Sequence, residues 1–256
     1  MKSRFLIWAA CLLLTVSCGT VNKAYLVQGG QQVLQAAMIT DDEIRTYVHQ
    51  YVSQTDASSQ MGASDNNYTQ RLRKLTAGLT DIDGVPLNFE VYITNDVNAF
   101  ACADGSVRVY SGLMDLMNDN EVLGVIGHEI GHVALKHTKK AMQMTLLTSA
   151  VISGASSLNE TVAALSQSQL GAIGQTILDA HYSRKQETQA DDYAYDFLKK
   201  SGKDPSCLIQ GFEKLQQLEG NAAAASWITR LFSDHPDTAS RIARIKSKLA
   251  ADGLDK

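Results

Sequence analysis

The chain has 256 residues, 45% of them hydrophobic and 20% charged, which is the composition of an ordinary globular protein with enough apolar material for one sizeable core. Its 23 basic residues against 27 acidic ones give a net charge of -4 with no basic run, which argues against nucleic acid as a partner. No internal repeat or low-complexity tract is present, so solenoid and fibrous architectures are excluded.

Lys2 and Arg4 precede an apolar run over residues 5–14, and Thr15-Val16-Ser17-Cys18-Gly19 follows. This is the pattern of a signal peptide, with an apolar run too short to span a membrane. Small residues leading to Cys18 look like a bacterial lipoprotein box, which implies cleavage before Cys18 and its acylation. Ordinary cleavage that leaves Cys18 a plain thiol is the alternative. The expected organisation is a leader over 1–17, a lipidated cysteine and tether over 18–30, and a single domain over 31–256. Several acyl chains anchor stably where one does not, so the mature chain is expected on a membrane, facing the periplasm. Gly19 after the cysteine fits the outer membrane by lipoprotein convention. In that oxidising compartment Cys102 and Cys207 could pair, or they could remain two buried thiols.

A helix is expected over residues 31–52, then an exposed polar linker over 53–67 and a second helix over 68–79. Asp83-Gly84-Val85-Pro86 leads into a strand over 88–94. Asp104-Gly105 is a turn signal, and Val107, Arg108, Val109 and Tyr110 form a further strand whose alternation is loose.

The chemistry concentrates in His128-Glu129-Ile130-Gly131-His132. On a helix, residues i and i+4 share a face, so both imidazoles can reach one metal ion, while Glu129 is placed to take a proton from water that the ion acidifies. The apolar flanks predict a buried helix, started by cap-type Asn118, Asp119 and Asn120 and running on past Met142. Gly127 and Gly131 weaken that helix, and are better explained as places where another backbone or a ligand comes close. Leu135 and Thr138 stand where a metzincin has glycine and histidine, so that class is excluded. His137 falls about 140° from the ligand face of a continuous helix and reads as a solvated residue among Lys136, Lys139 and Lys140.

Residues 148–174 are rich in Ser, Gly and Ala, and their apolar part is read as a helical lid near the site, too short for a span. Next, Glu187 and Asp191 share a face at i, i+4. That spacing lets Glu187 bind the metal while Asp191 accepts the outer N–H of a ligand histidine; an acidic first turn serving the helix dipole is the other reading. A helix over 205–218 follows. Asp234-His235-Pro236 either starts the last helix or brings His235 to the site, and Arg241 is either catalytic or an ion-pair partner.

Taken together, Asp96 to Ala101, Val107 to Met114, His128 to His132, Ser183 to Asp191, and Asp234-His235-Pro236 with Arg241 resemble the HtpX and CAAX-prenyl-endopeptidase-like zinc metallopeptidases over most of the chain. The resemblance implies an α+β, mostly helical zincin of gluzincin type, with a small β-sheet whose edge strand, Val107 to Tyr110, flanks the motif helix and binds extended peptide. It implies one zinc per chain on His128, His132 and Glu187, with Glu129 as base and general acid and Asp191 behind a ligand histidine. His235 or Arg241 would close over the site and steady the transition state. The implied activity is endopeptidase cleavage of unfolded or misassembled envelope proteins, alongside periplasmic quality-control partners. A binding role, with zinc purely structural in a chaperone-like or assembly lipoprotein, is the competing expectation.

Overall fold

A computed structural model describes residues 40–137, 139–141, 143, 182–219 and 238–255. The leader, Cys18, the tether, the apolar stretch after the motif helix and His235 lie outside the described residues. The described chain runs α1 (Asp41–Ser58), α2 (Asn67–Leu75), β1 (Asp81–Ile82), β2 (Val85–Pro86), β3 (Asn88–Tyr92), β4 (Ala99–Ala101), β5 (Ser106–Tyr110), α3 (Ser111–Leu116), α4 (Asp119–Ala134), α5 (Arg184–Lys200), α6 (Cys207–Glu219) and α7 (Thr238–Ala251). The fold is α+β and mostly helical, as expected. Among these residues no helix is long and apolar enough to cross a membrane.

The main sheet has the order β3-β5-β4, with β3 parallel and β4 antiparallel to β5. Val107 to Tyr110 therefore form the middle strand, not the edge, which corrects the expectation. Two features force this. Gly105, at φ 87°, closes a tight turn that folds β4 back onto one side of β5, and a Cβ there would strike the Pro86 carbonyl. On the other side, the crossover from β3 returns the chain parallel to it. The outer edge of β3 is itself sealed: Gly62 donates its N–H to the Val91 carbonyl at 2.9 Å, and Ile93 donates to Gln60 at 2.8 Å. The edge that faces the motif helix α4 is β4.

Strand alternation explains why the pattern looked loose. Val91, Ala99, Ala101, Val107 and Val109 face the main core, whereas Tyr92, Phe100 and Tyr110 face α1, where Ile44, Val48, Tyr51 and Val52 form a second cluster. Both faces are covered, so both registers carry apolar residues. α1 is longer at its C-terminal end than expected: residues 53–58, read as linker, are helical. The reason is Asp56. Its carboxylate accepts from Arg108 Nε at 2.9 Å, Arg108 Nη2 at 2.8 Å and the Tyr92 hydroxyl at 2.6 Å. Arg108, buried on the α1 face of the sheet, thus holds its counter-charge on this helix.

Partial burial pushes the Asp56 carboxyl up, and hydrogen bonds from Arg108 and Tyr92 outweigh it, leaving the group below its ordinary value of 3.8. A folded value below the unfolded one means that this stabilisation is complete above about pH 4 and is lost as pH falls through the folded value. Asp56→Ala is expected to cost about 3–5 kcal/mol at neutral pH, because Arg108 is left buried and unpaired. It should also flatten the acid arm of stability against pH. Urea unfolding of both proteins across that range checks this, and parallel curves with equal midpoints would refute it.

The motif helix starts where the cap residues placed it. Asn118 accepts from the Glu121 N–H at 3.1 Å, and Glu121 accepts from the Asn118 N–H at 2.8 Å, a reciprocal capping box. α5 begins with a second box, Ser183 with Gln186. The two helices pack closely because Gly131 has no side chain: a Cβ there would lie 3.0 Å from the Ala190 carbonyl oxygen. At Gly127 the Phe197 ring fills the corresponding space.

Cys102 and Cys207 are free and buried, the second of the two readings of that pair. Cys102 belongs to the α1-side cluster and Cys207 to the main core. Burial pushes both thiols up, Cys207 to about 12, which makes them apolar packing groups at neutral pH.

Candidate metal centre

His128 and His132 project from one face of α4 with their Nε2 atoms 3.2 Å apart. Glu187 arrives from α5, with Oε1 3.4 Å from His132 Nε2 and Oε2 3.6 Å from His128 Nε2. The three side chains are buried and are the one such metal-holding cluster among the described residues. Donors on a tetrahedron with metal–nitrogen bonds of about 2.0–2.1 Å stand about 3.3 Å apart, so the set fits a metal ion without rearrangement. Charge agrees with geometry. Among the described residues, the buried carboxylates Glu129, Glu187 and Asp191 gather here with the buried Arg241 guanidinium, a setting in which a dication is favourably placed.

The outer nitrogens are also held. His128 Nδ1 lies 3.0 Å from Asp191 Oδ1, the contact expected of a carboxylate that fixes ring orientation and tautomer. Arg241, from α7, spans both carboxylates: Nε and Nη2 donate to Asp191 at 2.9 and 2.7 Å, and Nη1 reaches Glu187 Oε2 at 2.9 Å. Its guanidinium stacks on Phe212 of α6 at 4.2 Å, and the same ring meets His128 edge-on. Burial raises the Asp191 carboxyl, but hydrogen bonds from Arg241 and His128 outweigh it and hold the group at about 2. Of the two readings of Arg241, the geometry gives the ion pair.

Glu129 is buried beside the histidines, on the helix that contacts β4. Val107, Arg108, Val109 and Tyr110 lie one strand further away, and Arg108 is committed to Asp56. His235 falls outside the described residues. A separate cleft of about 240 Å³ near the C-terminal end of α4, lined by Ile44, Ile82 and Val133 with Asp41 and Lys136, holds no metal donor of the cluster.

Sequence reasoning missed three neighbours. Phe212 carried no signal that set it apart from the core residues Leu208 and Leu215. Tyr182 stacks on His132, with ring centroids 3.8 Å apart and planes 31° apart. His137 is buried rather than solvated, with Nδ1 3.2 Å from His132 Nδ1. The helix does not run on: α4 ends at Ala134, and Lys136 takes a left-handed φ of 56°, which swings the next residue back over the site. No glycine or proline marks that break.

The model of peptidase family M48 matches residues 64–249. Metalloprotease LoiP of Escherichia coli (strain K12) is 41% identical over 256 residues, covering 99% of this chain and 100% of its own length. Metalloprotease YcaL of the same organism is 38% identical over 226 residues, 88% of this chain and 87% of that protein. The beta-barrel assembly-enhancing protease of Escherichia coli (strain K12) is 27% identical over 171 residues, 64% of this chain but 34% of that longer protein.

Proposed function

The chain belongs to peptidase family M48 and is a metalloendopeptidase, and from that premise we propose that it is a zinc-dependent, lipid-anchored protease of the bacterial outer membrane, facing the periplasm and cutting unfolded or misassembled envelope proteins. The observation that carries the chemistry is the buried donor set His128, His132 and Glu187 with Glu129 beside it. Nitrogen and carboxylate donors at tetrahedral spacing suit zinc, and three protein ligands leave the position that a catalytic site needs. A structural zinc in a non-proteolytic chaperone would favour a fourth protein ligand, and is the weaker reading in a family of peptidases. The envelope setting is supported by the leader pattern ending at Cys18 and by the relative named for β-barrel assembly.

Zinc bound there supplies a Lewis acid that polarises the scissile carbonyl and acidifies water. Glu129 accepts the proton of the attacking water and delivers it to the departing amine. Asp191 and Arg241 keep His128 and Glu187 in register, and His235 is assigned to steady the oxyanion. Substrate lies along β4. Tyr110 and Cys102 donate across to Asn98 and Ser106, so alternation turns the Ala99 and Ala101 backbones away from β5. The Asn98 amide oxygen accepts the Ala99 N–H at 2.9 Å, so pairing with substrate is assigned to the Ala99 carbonyl and the Ala101 backbone. Main-chain pairing there selects extended chain and makes few demands on side chains.

The test uses one outer-membrane protein in folded and unfolded forms. The zinc-loaded enzyme is expected to cut the unfolded form, to spare the folded one, to stop with a chelator and to resume with added zinc. Absence of cleavage of the unfolded form, with zinc bound, would overturn the substrate reading.

A further inference from the structure

His137 has no place in the mechanism above, yet it is buried against a ligand histidine. Its Nδ1 stands 3.2 Å from His132 Nδ1, and its side chain hydrogen-bonds Gln189 of α5. A proton count fixes the direction of this chain. His132 turns Nε2 toward His128 Nε2 and Glu187, so a cation there needs the lone pair on Nε2, and the single proton of the neutral ring must sit on Nδ1. That N–H then donates to His137 Nδ1, which in turn must carry its own proton on Nε2, where the Gln189 amide oxygen can accept it.

We propose that His137 is a positioning residue for the metal site, accepting the outer N–H of His132 within a Gln189–His137–His132 relay. The two ligand histidines are thus held by unlike partners. His128 leans on the carboxylate of Asp191, and His132 leans on a neutral imidazole. Tyr182, stacked on the His132 ring, limits its rotation about the same bond. A carboxylate behind His132 would add a further negative charge to a site that already holds three; an imidazole fixes the tautomer without adding one. The left-handed turn at Lys136 is what brings His137 there. A single non-glycine residue in that region is strained, a cost that a solvated His137 would give no reason to bear.

This rests on the metal reading of the site, and the experiment separates the two. Zinc affinity is measured by chelator competition, and cobalt absorption reports donor geometry, for wild type, His137→Phe, His137→Asn and Gln189→Ala. Phenylalanine fills the space without an acceptor, and asparagine places Oδ1 near the lost Nδ1. The expected result is about 10–100-fold weaker zinc binding for His137→Phe, with a shifted cobalt spectrum, substantial recovery in His137→Asn, and a smaller loss in Gln189→Ala. A purely packing role would lower the metal-free unfolding midpoint in both His137 variants and leave affinity unrestored by asparagine, which would overturn the proposal. Wild-type affinity in His137→Phe would also overturn it. Failure of wild type itself to bind zinc would instead overturn the metal reading.

Discussion

Glu129→Gln is expected to lower kcat on an unfolded protein by about 10²–10⁴ while leaving stoichiometric zinc in place, because a positioned general base contributes on that order. The argument is local. Glu129 follows the first ligand directly in sequence, is buried, and is distinct from the convergent donors His128, His132 and Glu187. Glutamine keeps the size and the helix but can neither accept the proton of water nor hand one to the amine. Loss of a group that acts in the transition state should lower kcat and kcat/KM together and leave KM nearly unchanged. The measurement is steady-state cleavage beside metal content and zinc affinity. Activity within about threefold of wild type would remove Glu129 from the mechanism, since that is only about 0.7 kcal/mol. Lost zinc, with lost activity, would make it a ligand instead.

Arg241→Met should produce the other large effect, on stability rather than on turnover. Arg241 is buried, donates twice to Asp191 and reaches Glu187. Removing one partner from such a network leaves uncompensated charge in the interior, at a cost of about 3–5 kcal/mol in the metal-free protein. Asp191 now sits at about 2 only because Arg241 and His128 outweigh its burial. Without the guanidinium, burial has less opposing it, and the Asp191 carboxyl moves upward. Zinc should restore part of the loss, since a dication supplies positive charge at the same place and stabilises only the folded state. Arg241→Lys should recover less than its charge suggests, because one ammonium cannot form a fork to Asp191 while also reaching Glu187. Thermal unfolding with and without zinc tests this; an unchanged metal-free midpoint in Arg241→Met would refute it.

The parts of this site that could be read from sequence are those set by spacing within one helix. His128 and His132 at i, i+4, Glu187 and Asp191 at i, i+4, and the Asn118 cap each follow from helix geometry alone. What could not be read depends on contacts between distant segments. The middle position of β5 follows from pairing on both sides, and residues 60–62 occupy the far edge of β3, a partnership that a Ser- and Gln-rich composition hides. Residues 53–58 looked like linker because the residue that keeps them helical, Arg108, lies about fifty positions away. His137 was placed wrongly because a left-handed Lys136 leaves no trace in composition. The free thiols of Cys102 and Cys207 reflect membership of two separate clusters, which no count of cysteines reveals.

The placement of Arg241 on α7 carries a consequence for the order in which the enzyme comes alive. The two histidines and both acidic residues are all made before it, and until α7 docks, Glu187 and Asp191 lack the guanidinium that bridges them. A chain still emerging from the ribosome, before any metal binds, holds the two carboxylates without that counter-charge, and their repulsion opposes the spacing seen in the folded cluster. Assembly of the metal-free donor cluster is therefore tied to α7, so that a copy cut short before Thr238 is expected to hold Glu187 and Asp191 less firmly.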